Sequence, residues 1–208
     1  MLHPVRAQPH ELLENIITCL CFKVQPGTTK LMKLVYLVDV YYTRAFGKRL
    51  TDVPFVYDRY GAFAKEVYQA LEALEAKGVI RERSVQTTEG HEANIRELAI
   101  GQASVPVSPE VRQIIEDVLA DWGGASLAAV IRYTKATLPF VGTKPSQLID
   151  FSRISPVSEH AKAKGLSEED VATEAICSNP ELVAAIREGD RAARNGKFVS
   201  WEDVFGEE

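Results

Sequence analysis

The sequence predicts a mainly α-helical protein: a compact helical domain with a small two-stranded antiparallel β-wing, giving a winged-helix-like outline, and a helical C-terminal extension. Three observations carry this. Apolar residues recur at helical spacing in successive segments, each bounded by capping or stop residues. Two short β-prone runs, 79–87 and 93–100, flank a turn around Glu89-Gly90. Beyond residue 155 the texture changes to acidic helix starts followed by large apolar residues, so the expected division is 1–155 for the domain and 156–208 for the extension.

Residues 9–22 read as the first helix, with Leu12, Leu13, Ile16, Ile17 and Leu20 at helical spacing and Pro26-Gly27 beyond its end. The second, 29–46, has Leu31, Leu34, Val35, Val38, Tyr42 and Ala45 on one stripe, while Tyr36 and Val40 thicken its other side. A helix apolar nearly all round belongs inside the domain, and this one carries Lys33 and Asp39 in with it. An ionised carboxylate there needs a donor or a positive charge, and Arg59, the Tyr60 hydroxyl or a backbone amide are its expected partners. Gly47 is expected to close the helix in the left-handed conformation. A link containing Pro54 reads as irregular, with 55–60 as loop. The third helix is expected over 62–77, with Val67, Ala70, Leu71 and Leu74 facing inward and Gly78 ending it.

After the wing, Ser108-Pro109-Glu110 starts a fourth helix, with Ser as N-cap, Pro at the first helical position and Glu near the positive end of the dipole. It stops at Gly123-Gly124. Ser126 caps a fifth helix to about Thr134, and 138–151, with Pro139, Gly142 and Pro145, reads as loop or short turns. Ser167-Glu168-Glu169-Asp170 has the pattern of a capping box, and Asn179-Pro180-Glu181 starts a last helix to about Arg194. Phe198, Val199, Trp201, Val204 and Phe205 follow, too short a stretch to make its own core; it must cover either this domain or a partner.

A length of 208 residues suffices for one good core and an appended segment. With 46% hydrophobic and 25% charged residues the chain is neither disordered nor membrane-like, and its apolar runs stop far short of the roughly 20 residues a span needs. No export leader is read at the start, and Cys19, Cys21 and Cys177 lack zinc spacing, which suits reduced thiols in the cytoplasm. The net charge of −5 opposes broad phosphate-backbone binding and suits a basic protein partner better. His10-Glu11-Leu12-Leu13-Glu14 begins like a zinc-protease helix, but Glu14 stands where the second His is required. His3, His10, His91 and His160 are scattered, and Gly27-Thr28-Thr29-Lys30 lacks the full phosphate-binding glycine loop. No catalytic residue, metal site or cofactor is expected, and the chain is not read as an enzyme.

Tyr36, Tyr41, Tyr42, Tyr57 and Tyr60 form a local concentration of phenols, and protein interfaces are rich in aromatic and Arg side chains. The order of a Lys33-Leu34-Val35-Tyr36-Leu37-Val38-Asp39 helix, a glycine, an apolar-Thr step, Tyr60-Gly61 and a Val67-Tyr68-Gln69-Ala70-Leu71-Glu72-Ala73-Leu74 helix resembles the Panacea, or SocA-like, antitoxin domain over about the first two thirds of the chain. Thr134, Pro139 and Phe140 are similar to a further feature of that family. One departure is Ala62, where the family places Pro after the aromatic-Gly pair. The resemblance implies a bacterial or phage type II antitoxin that binds and neutralises a protein toxin encoded beside it, in a hetero-oligomer or with homo-oligomers. Toxins paired with the family range from alarmone-type nucleotide synthetases to other translation inhibitors.

Two competing readings stay open. A DNA-binding autorepressor is suggested by the winged outline, although Glu66, Glu72 and Glu75 oppose Lys65 and Lys77 on the third helix. A protease adaptor delivering a bound toxin is implied by an activity of part of the family. The segment from Ala185 to Val204 is similar to the toxin-binding tails of small antitoxins of the Phd/YefM and RelB kinds. The candidate partner-binding residues are therefore Tyr36, Asp39, Tyr57, Arg59 and Tyr60 in the domain and Leu182, Ile186, Phe198, Trp201 and Phe205 in the tail. DNA contact is expected to be weak or absent, with no membrane contact.

Overall fold

A computed structural model describes residues 9–86, 92–99 and 105–154. All lie in Met1–Ile154, the first of two units into which the chain divides. Among the described residues the fold is mainly α, with two small antiparallel two-stranded sheets.

Helix α1 (Pro9–Val24) precedes the central helix α2 (Thr28–Phe46). Every residue of α2 from 31 to 40 is buried, as its all-round apolarity predicts. Around it stand α1, α4 (Pro109–Trp122) and α5 (Leu127–Ala136). The core gathers Leu13, Ile16 and Leu20 from α1 with Ile114, Ile115 and Val118 from α4. Gly47 takes φ 69° and its N–H donates to Thr43 O, the expected left-handed stop. The Ser108 hydroxyl accepts from the Val111 N–H (3.3 Å) and the Ser126 hydroxyl from the Ala129 N–H (3.2 Å), so both expected N-caps form. Lys30 Nζ donates to the Gly123 and Ala125 carbonyls, 2.7 Å each, placing a cation at the negative end of α4.

Helix α3 (Lys65–Ala76) packs on α1 through a face that includes Val67, Ala70, Leu71 and Leu74. The wing follows as β3 (Ile80–Gln86) and β4 (Glu92–Leu98), antiparallel, with Ile80 opposite Leu98 and Gln86 opposite Glu92. It leans on α1 and α3, and Arg81 and Arg83, two residues apart on β3, both donate to Glu97.

The stretch 55–64 departs from expectation. In place of a loop and an early helix start, a second hairpin forms from β1 (Val56–Asp58) and β2 (Gly61–Phe63), and α3 begins at Lys65 rather than at residue 62. Asp58 and Gly61 bracket the turn: the Asp58 carboxylate accepts from the Tyr60 N–H (3.1 Å), and Gly61 sits at φ 90°, which a side chain would resist. Residues 61–63 are held by the ladder and cannot join the helix. Ala64, extended at its N-cap position and without a side-chain cap, leaves no sequence mark of the true start. The outer edge of β1 is paired as well, because Ile149 N–H donates to Phe55 O (2.8 Å), Tyr57 N–H to Gln147 O (2.9 Å) and Ser146 N–H to Tyr57 O (3.0 Å). The remaining turns are a four-residue helix α6 (Leu138–Val141) and a 3-10 turn at Phe151–Arg153.

Candidate functional site

Lys33, Tyr36 and Asp39 lie at i, i+3 and i+6 on α2, and each holds a different segment of the chain against the core. Lys33 Nζ donates to the Ala62 carbonyl (2.8 Å) and so pins the β1–β2 hairpin. Its side chain is buried, and burial pushes its pKa down to about 8; the Asp58 carboxylate pulls it back up and Lys135 adds to the depression. Gly61 is part of the same contact. A Cβ there would lie 3.4 Å from both Lys33 Cε and the Thr134 methyl, so the hairpin sits close over α2 and α5.

Tyr36 reaches the corner between α5 and α6. Thr137 donates its hydroxyl proton to the Thr134 carbonyl (2.7 Å), which leaves the Tyr36 hydroxyl as donor in the 2.7 Å bond between Tyr36 and Thr137. The Tyr36 ring stands edge-on to Phe55 (5.3 Å) and tilted to Phe151 (5.5 Å).

Asp39 has no exposed surface and is paired by Arg49 and Thr51. Arg49 Nη2 lies 2.6 Å from Oδ2, the Thr51 hydroxyl donates to Oδ2 (2.6 Å), and the Thr51 N–H donates to Oδ1 (2.9 Å). The expected backbone amide is therefore among its partners, whereas the cation is Arg49 and not Arg59, and the Tyr60 hydroxyl is not used. The reason is geometric: Asp39 lies about two helical turns before the end of α2, and the chain that turns at Gly47 runs back along the helix far enough to bring Arg49 and Thr51 onto it. Burial drives the Asp39 carboxyl above its ordinary range, against the opposing pull of Arg49 and the Thr51 donors. Arg49 also donates to Val53 O and lies 4.1 Å over the Phe151 ring, tying the 47–53 link to the far end of the domain.

The candidate residues thus divide. Tyr36 and Asp39 are wholly buried and hold loops in place. Tyr57 is half-buried, its ring stacked on Phe140 at 4.1 Å. Arg59 and Tyr60 form the exposed hairpin tip, with Tyr60 57% exposed and the Arg59 guanidinium 5.5 Å from its ring centre. Two exposed apolar residues adjoin the partners of this hairpin: Leu148, 64% exposed, bridges Val56, and Val141, 55% exposed, follows Phe140. Leu182, Ile186, Phe198, Trp201 and Phe205 lie outside the described residues, as does Cys177. Sequence reading did not find Arg49, Thr137, Val141 or Leu148, and it had Thr51 only as the Thr of the apolar-Thr step, with no role assigned. Periodicity is silent on residues that follow a helix stop, and none of the five belongs to a regular stripe.

Among the described residues, no helix is long and apolar enough to cross a membrane, and no three His, Cys, Asp or Glu side chains are grouped so as to hold a metal ion. No curated protein and no solved structure matches the chain. A family model does: the antitoxin SocA-like, Panacea domain, over residues 31–138. That span covers α2 from residue 31 with its three anchors, the β1–β2 hairpin, α3, the wing and the Thr134–Thr137 corner. It takes in just over half of the 208 residues, and the chain belongs to the SocA-like Panacea antitoxin family.

Proposed function

We propose that this chain is the antitoxin of a type II system, acting in the cytoplasm by direct binding to a protein toxin encoded beside it. The contact surface is the β1–β2 hairpin, with Arg59 and Tyr60 at its tip and Tyr57, Val141 and Leu148 along its flank. One observation carries this reading: an exposed aromatic-arginine tip belongs to a hairpin held from below by buried anchors, Lys33 through Ala62 and Tyr36 through the Phe55 ring that leads into β1. Such a surface loses little conformational entropy on binding, and Tyr and Arg are among the residues that dominate interface energetics. The tail residues Leu182, Ile186, Phe198, Trp201 and Phe205 are proposed as a second contact on the same toxin.

Direct toxin binding is favoured over DNA binding by the state of α3. Lys77 is paired with Glu14, and Glu75 is drawn to Arg96, so this helix offers Lys65 against Glu66 and Glu72. Phosphate contact needs the opposite balance.

The test is rescue of cells expressing the neighbouring gene, with melting curves measured alongside. Tyr60→Ala and Arg59→Ala are expected to lose rescue while the melting temperature stays within about 2 °C of wild type, a surface substitution costing about 0.5 kcal/mol or less. Full rescue by both variants would remove the hairpin from the contact surface.

A further inference from the structure

The wing has one covered edge and one bare one. On β4 the Arg96 N–H points away from β3 and donates to the Pro26 carbonyl (3.0 Å), and the Asn94 carbonyl points the same way, toward Gly27, where a Cβ would lie 3.2 Å from it. Arg96 and Asn94 therefore stand in non-hydrogen-bonded pairs with Glu82 and Ser84, their partners in the register. Side chains come close in such pairs, and here the Ser84 hydroxyl donates to Asn94 Oδ1 (2.7 Å) while Arg96 is paired with Glu82. It follows that the N–H and C=O groups of Glu82, Ser84 and, by alternation, Gln86 point outward along the far edge of β3. All three residues are exposed, and among the described residues no other segment's backbone bonds to them. Free charge ordinarily guards such an edge. Here the charges are matched across the hairpin, Arg81 and Arg83 by Glu97, and Glu82 by Arg96.

We propose that β3 is a dimerisation strand: two copies of this chain join β3 to β3, antiparallel and centred on Ser84, to make one four-stranded sheet. The inference is separate from the toxin contact on the β1–β2 hairpin. A two-fold pairing through the outward groups has few possible centres. Centring on Glu82 or on Arg83 sets like charges face to face, Glu82 on Glu82 or Arg83 on Arg83, which destabilises a strand pair. Centring on Ser84 sets Glu82 opposite Gln86 of the partner subunit and Arg83 opposite Val85 of the partner subunit, with no like charges opposed. Residues 82, 84 and 86 then exchange both of their backbone bonds with the partner subunit. The same centre keeps the two domains apart. Ile80, the one buried residue of β3, lies four residues from Ser84, about 13 Å at ~3.3 Å per residue, so the two copies stand at opposite ends of the joined strands. A second copy also supplies what the wing lacks, because an isolated two-stranded ribbon is marginal and three or more strands hold better.

The experiment sediments the full chain over micromolar to millimolar concentrations. Wild type is expected to pass from a single chain to twice its mass of 23.0 kDa. Ser84→Pro removes an outward N–H and spares the β3–β4 ladder, since proline is tolerated on an edge strand where the N–H faces solvent. It is expected to weaken the dimer tenfold or more, while Ser84→Ala, which keeps the N–H and loses only the bond to Asn94, dimerises like wild type. Should Ser84→Pro melt below wild type, position 86 decides alone: Gln86→Glu meets Glu82 of the partner subunit and weakens the dimer severalfold, and Gln86→Lys tightens it. A chain that stays monomeric, an unchanged dimer in a normally melting Ser84→Pro, equal weakening in Ser84→Ala, or shifts of the same sign in the two Gln86 variants would overturn the inference.

Discussion

Replacing Asp39 by Ala removes the acceptor for three donors at once: Arg49 Nη2, the Thr51 hydroxyl and the Thr51 N–H. Breaking a buried ion pair by deleting one partner costs roughly 3 to 5 kcal/mol, because the remaining charge stays buried without compensation. Here the lower end applies. The Arg49 side chain is 27% exposed and keeps its bond to Val53 O and its place over Phe151, so part of its charge stays solvated or matched. About 3 kcal/mol corresponds to a fall of about 6 to 12 °C in Tm for a chain of this size. Arg49→Met should cost less, and the double variant Asp39→Ala, Arg49→Met should be more stable than the sum of the single losses by about 1 kcal/mol or more, since no unpaired charge is left behind. Thermal melts of the four proteins at pH 7 measure all of this. A fall of less than about 2 °C for Asp39→Ala, or strict additivity in the double variant, would refute the view that Asp39 holds the 47–53 link.

Lys33 gives a prediction with the opposite pH sign to a lysine held in an ion pair. Its pKa is about 8 in the folded chain against about 10.5 unfolded, so between these values the unfolded state binds more protons and stability from this group rises with pH. Relative to Lys33→Met, wild type should gain up to roughly 3 kcal/mol between pH 7 and pH 10, read by urea unfolding at each pH; a flat difference would contradict it. Tyr36→Phe should cost about 1 kcal/mol through loss of the bond to Thr137, leaving rescue intact if the chain stays folded. Leu148→Ser should leave the melt unchanged and weaken the toxin complex, measured by calorimetry. A chain ending at residue 178 should fold and rescue poorly, and full rescue would remove the tail from the contact.

Much of the fold was legible because its signals are local. The all-round apolarity of α2, the Ser caps at 108 and 126 and the Gly stop at 47 each act through neighbours in sequence, and each forms as expected. The β1–β2 hairpin was not legible. Three-residue strands are too short to show alternation, and the outer partner of β1 comes from 146–149, some ninety residues on. The polar stripe was half legible. That Lys33 and Asp39 needed partners followed from burial; which partners followed only from where the chain turns after Gly47. At the candidate site, Tyr60 was found as a motif residue and Arg59 beside it, and both are exposed, while Tyr36 and Asp39, found in the motif, are buried beneath the segments they hold. A motif names residues that matter to a fold and residues that matter to a partner in the same breath, and only burial separates them.

On the proposed function, buried anchors set stability and the hairpin tip sets recognition. Tyr60→Ala and Asp39→Ala, each assayed for toxin affinity and for Tm, set the two against each other. The predicted result is a large loss of affinity with unchanged Tm for Tyr60→Ala, and a Tm lowered by about 6 to 12 °C for Asp39→Ala with near-normal affinity at a temperature where it stays folded. Wild-type affinity in Tyr60→Ala together with lost affinity in folded Asp39→Ala would contradict it.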